Sequence, residues 1–136
     1  MRSQLLAAER RSADQRGSAV VDFVLVMLLL VPLVLGIVQV GLVLHVRNTL
    51  TAAASDGARA GATIDARPVD AVNRTRDLIR GVLADQYADR VSAHDVLRAG
   101  VWTVEVNVRA DVPALGLFGP TVPLAVDGHA VKEVVE

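Results

Sequence analysis

An acidic side chain stands at the head of a hydrophobic segment. Asp22 opens a run of apolar residues, 23–44, that only Gln39 interrupts. Four positions earlier is Ser18, preceded by Arg16 and Gly17. On a helix that spacing is one turn, about 6 Å along the axis. Ionised groups in hydrocarbon are costly and mark function. Insertion scales put about 2.5–3.5 kcal/mol on a carboxylate at the bilayer centre, and less toward its surface. If the chain is cut after Gly17, Ser18 carries a free ammonium. On a neighbouring subunit that cation would neutralise Asp22 inside a bundle of packed helices. Such a pair would set the axial register between subunits, because desolvation penalises an unpaired carboxylate. The plainer alternative is an Asp22 that lies at the cytoplasmic interface and points to water.

Other reactive residue types do not converge. His45, His94 and His129 are scattered, with no second histidine at metal-ligand spacing. His94 and Asp95 are adjacent, and sequence neighbours rarely converge on one ion. Ser55 has Asp56 beside it but no histidine base near by, and Gly116 and Gly119 sit in an apolar turn rather than a phosphate loop. The triplet Asn73-Arg74-Thr75 matches a glycosylation acceptor only formally, because it falls on an expected helix. Cysteine is absent, which removes disulfides, thiolate metal sites and cysteine nucleophiles. The reading is a non-enzyme with no catalytic residue, no metal, no cofactor and no small-molecule substrate. A formal net charge of −1 gives no reason to expect a nucleic-acid partner.

The elements that must position Asp22 begin with the apolar run. At about 22 residues it matches the roughly 20 needed for a spanning helix, and it is too long for a cleavable signal's hydrophobic core. Arg2, Arg10, Arg11 and Arg16 precede it, so the positive-inside rule keeps the N-terminus cytoplasmic and everything after residue 44 outside. Residues 1–17 then form a cytoplasmic leader and 18–44 a transmembrane helix. Pro32 lies inside that helix, where its missing donor favours a kink near residues 28–32. About 90 residues remain for one small domain, 45–136.

That extracytoplasmic part reads as α+β. The first helix continues without a break to about residue 62. Leu50, Ala54, Gly57, Ala58 and Gly61 share one of its faces and are nearly all small, so another helix or a sheet can approach closely; Gly57, Ala58 and Gly61 are the candidate helix-packing residues. A second helix, about 69–88, has Val72, Ile79, Val82, Leu83 and Tyr87 as its buried stripe. Residues 91–100 read as a connection. Strict alternation makes 101–112 a half-buried strand, and 122–135 returns antiparallel, with Asp127-Gly128 a bulge or turn. The expected fold is a long transmembrane helix running into a small domain with a second helix and a two-stranded antiparallel sheet. The apolar loop 113–120, with Leu115, Leu117 and Phe118, is expected either to meet a partner or to form a local cluster.

Three stretches together carry a family resemblance. They are Arg16-Gly17-Ser18-Ala19-Val20-Val21-Asp22-Phe23 with the apolar run behind it, Val46-Arg47-Asn48-Thr49-Leu50, and Ala53-Ala54-Ser55-Asp56-Gly57-Ala58-Arg59-Ala60. The chain resembles the TadE-like family, small pilin-like proteins of the tight-adherence (Flp) branch of type IV pilus systems. The family usually has glutamate where this chain has Asp22, one methylene shorter and of the same charge. The resemblance implies a minor pilin or pseudopilin, cut between Gly17 and Ser18 by a prepilin peptidase, that assembles or anchors a pilus. Its implied partners are the membrane, the peptidase, other pilin-like subunits and pilus assembly proteins. Its implied place is the bacterial inner membrane, or the pilus or cell surface. The alternative is an uncleaved single-pass adaptor whose outer domain binds a pilus or secretion-machine component.

Overall fold

A computed structural model describes residues 2–114 and 121–133, and of residues 2–17 the backbone alone. Two compact units divide the chain, Met1–Val38 and Gln39–Glu136. Helix α1, Arg2–Gly61, supplies the first unit and opens the second. It continues as helix through Pro32. In the first unit its apolar side chains are bare on every side: Phe23 is 61% exposed, Leu28 72% and Leu29 71%. A core helix of a water-soluble domain would bury such residues, so this stretch is a helix long and apolar enough to cross a membrane.

The second unit has two layers, with helices on one face of a sheet. Helix α2, Pro68–Arg80, starts with proline in its first turn, where the missing donor costs nothing, and Asp70 accepts the Arg67 N–H at 2.8 Å. It ends at Gly81, short of the expected residue 88, and a 3₁₀ turn, Asp85–Ala88, follows. Val82 therefore leaves the buried stripe and is 66% exposed, whereas Ala71, Thr75 and Ile79 are buried. Tyr87 and Ala88 enter the core from the 3₁₀ turn instead.

The sheet has three strands, not two. β1 (Arg90–Arg98), β2 (Val101–Val112) and β3 (Val122–Val131) form an antiparallel meander in the order β1-β2-β3. The segment expected as a connection is thus β1. Its alternation is concealed by Asp95, which occupies the same phase as Val91, Ala93 and Leu97. Register places Asp95 opposite Val104, on the face toward the helices. Lys132, just beyond β3, makes that tolerable by donating from Nζ to Asp95 Oδ2 at 2.6 Å. Neither partner was recognisable from its neighbours in sequence.

β2 is central and carries the core. Val104, Val106, Val108, Ala110 and Val112 face the helices and are buried, as their strict alternation requires. They meet Val46, Leu50, Ala54 and Ala58 of α1 and Ala71 and Ile79 of α2 in one cluster. Each valine or leucine so buried contributes about 1.5–3 kcal/mol. β3 ends at Val131 rather than running to 135, and residues 134–136 lie outside the described residues. Past β3 the chain returns to α1, where the Glu133 N–H donates to the Ala62 carbonyl at 2.9 Å. Asp127-Gly128 forms no turn: Gly128 is a regular strand residue paired with Val106. The loop residues Leu115, Leu117 and Phe118 lie outside the described residues.

Candidate functional site

Ser18 and Asp22 lie one helical turn apart on α1, and both are exposed. Among the described residues no basic group pairs with Asp22. The helix thus presents a hydroxyl residue and a carboxylate at the head of a bare apolar surface, Val20 and Val21 standing between them 63% and 57% exposed. Of Gly17 the backbone alone is described, and it is helical.

The small residues at the other end of α1 are enclosed. Gly57, Ala58 and Gly61 lie in the second unit and are buried. A Cβ at Gly57 would fall 1.8 Å from Thr75 Oγ1 and 2.9 Å from the Ala71 carbonyl oxygen of α2. One at Gly61 would fall 2.6 Å from Ala71 Cβ and 3.4 Å from Val104 Cγ1. The close approach is therefore to α2 and β2 of the same chain. Thr75 donates its hydroxyl to the Ala71 carbonyl at 2.8 Å, so no buried donor is left bare at this contact. Asp56 and Arg74 join the two helices at their surface with a 3.1 Å ion pair, worth at most about 1 kcal/mol at such exposure.

A residue that sequence reasoning missed is Gly128. A Cβ there would lie 2.3 Å from the Ala54 carbonyl carbon and 2.4 Å from the Ser55 backbone nitrogen. β3 therefore touches the backbone of α1 at this point. The signal was present as a lone glycine inside an alternating strand, a position that marks either a bulge or a close approach of another backbone.

The opposite face of the sheet is polar. Register aligns His94, Glu105 and His129 in one row across the three strands. Asp95 points the other way, to Lys132, so the adjacent pair His94-Asp95 diverges. Arg98 donates to Glu105, and this hydrogen bond, reinforced by the charge of Arg98 and opposed by burial, holds the Glu105 carboxyl below the usual glutamate range. Arg90 and Asp111 pair on the same face. Among the described residues, no group of three His, Cys, Asp or Glu has the geometry to hold a metal ion.

By class, this is a chain with an exposed apolar helix that has an acidic residue near the start of its apolar run, and with a small helix-on-sheet unit. Residues 17–59 match the family model TadE, described as TadE-like protein. That match includes Gly17, Ser18, Asp22, Gly57 and Ala58 and stops before α2 and the sheet. It agrees with the resemblance drawn from the same residues. Comparison with curated proteins and with solved structures returns no match.

Proposed function

We propose that this chain is a minor pilin or pseudopilin of a tight-adherence type IV pilus, with a structural rather than catalytic role. The observation that carries the reading is Asp22 on a bare apolar helix four positions after Ser18, within the stretch that matches the TadE-like model. A carboxylate in that place needs a cationic partner once the helix is packed among others. In this reading a prepilin peptidase cuts after Gly17, and the ammonium of Ser18 on a neighbouring subunit supplies that partner. The N-terminus lies in the cytoplasm and the helix-on-sheet unit outside the inner membrane, as the arginines before the helix favour. Pilin-like subunits and pilus assembly proteins are its partners. The test is a host strain lacking this chain, viewed by electron microscopy. Surface pili should disappear while the major pilin persists in the membrane, and return on complementation. Normal piliation without the chain would contradict the proposal.

A further inference from the structure

The end of the sheet where β2 and β3 are joined lies beside the apolar run of α1. Gln39 Nε2 donates to the Pro113 carbonyl at 3.2 Å, linking positions 74 apart in sequence. Both residues belong to the second unit. Gln39 precedes Leu44, the last residue of the apolar run, by five positions, or about 7.5 Å along a helix. Pro113 therefore stands alongside the apolar run and not beyond its end.

The chemistry of this end suits such a position. From residue 112 to residue 126 the sequence carries no charged side chain. Val112 is buried, and Val122 and Leu124 pack against the core. The nearest charged groups on β2 and β1 are Asp111 and Arg90, which pair with each other. Asp111 stands about 7 Å from Pro113 along the strand. On α1 the first titratable side chains past the run are His45 and Arg47. Helix and sheet thus change from uncharged to charged on the same side. Pro113 and Pro123 also present no backbone N–H, which removes two donors that hydrocarbon could not satisfy. The Pro113 carbonyl, past the end of β2, has Gln39 as its donor, which gives the single polar interruption of the apolar run a purpose.

We infer that the β2/β3 end of the sheet is immersed in the membrane that α1 crosses, so that lipid contacts the protein along the helix and again at the strand ends. This rests on the spanning reading of α1. The occupant is bilayer lipid because the described residues of this end, 113–114 and 121–125, carry no charge and adjoin the apolar run at Gln39, which holds the Pro113 carbonyl within the chain.

The test uses the full chain, which has no cysteine of its own. Ala114→Cys and Thr121→Cys are each labelled with an environment-sensitive fluorophore and reconstituted in vesicles of phosphatidylcholine with a minority of phosphatidylglycerol. Leu29→Cys reports on the spanning helix, and Val101→Cys on the opposite end of the sheet. Nitroxide-bearing lipid should quench labels at 114 and 121 several-fold more than at 101, while aqueous iodide shows the reverse order. A label at 29 quenched by lipid, with 114 and 121 as open to iodide as 101, would overturn the immersion and leave the spanning reading standing. Labels at 114 and 121 reached by neither quencher would mean a protein cover, which also overturns it. A label at 29 open to iodide would remove the spanning reading itself, and the immersion with it.

Discussion

Gly128→Ala is expected to destabilise the helix-on-sheet unit by about 3 kcal/mol or more, the upper part of the range for inserting atoms into a packed interior. The reason is what the added methyl would meet. At Gly57 two of the three nearest atoms belong to the Thr75 side chain and one, the Ala71 carbonyl oxygen at 2.9 Å, to backbone. At Gly128 the three nearest atoms are all backbone atoms of Ala54 and Ser55, between 2.3 and 2.5 Å away. Relief requires α1 to lift from β3, and Leu50, Ala54 and Ala58 are fully buried on that surface. Small domains have a total stability of about 5–15 kcal/mol, so this loss is a large fraction of it. Urea unfolding of the full chain in detergent, followed by Trp102 fluorescence, measures it as a lowered midpoint with an unchanged slope. Gly41→Ala is the control, since a Cβ there meets nothing within 4 Å. A midpoint for Gly128→Ala equal to that of wild type would contradict the close contact between β3 and α1.

Asp22→Ala is expected to abolish assembly and leave membrane insertion intact. The two effects separate because the carboxylate acts oppositely on them. For a lone chain, removing it relieves an insertion cost of up to about 2.5–3.5 kcal/mol. In the proposed packed bundle its removal would leave the neighbouring Ser18 ammonium unpaired, and breaking one side of a buried ion pair costs about 3–5 kcal/mol. At 1.4 kcal/mol per factor of ten, that is a loss of roughly a hundredfold or more in association at each contact. Asp22→Asn should fail in the same way, and Asp22→Glu should assemble, because it restores the charge. The readout is the share of the chain recovered in sheared pilus or cross-linked pilin-complex fractions, against its level in carbonate-washed membranes. Wild-type recovery of Asp22→Ala in the assembled fraction would contradict a pairing role.

How much could be read beforehand depended on whether a pattern was local. Residues 23–44 declared a spanning helix because nothing charged interrupts them, and β2 declared itself through unbroken alternation from residue 104 to residue 112. β1 did not, because Asp95 sits in the apolar phase and its partner Lys132 is 37 positions away. The small-residue face of α1 was visible as a pattern, but its occupants were not. Ala71 and Thr75 of α2 and Gly128 of β3 reach it only through tertiary packing. The second helix was read too long because Val82, Leu83 and Tyr87 continue its apolar stripe past Gly81, where the chain leaves the α-helix. Gln39 looked like a simple interruption, because the Pro113 carbonyl that it serves lies 74 positions away in sequence.

The central claim is that this chain is a processed pilin-like subunit, and the most direct measurement is its intact mass and N-terminal sequence. The protein should be taken from membranes of its native host, with and without the prepilin peptidase. A chain that begins at Ser18 only when the peptidase is present is the expected result. A chain that still begins at Met1 in both strains would contradict the claim, and would leave the uncleaved membrane adaptor in its place.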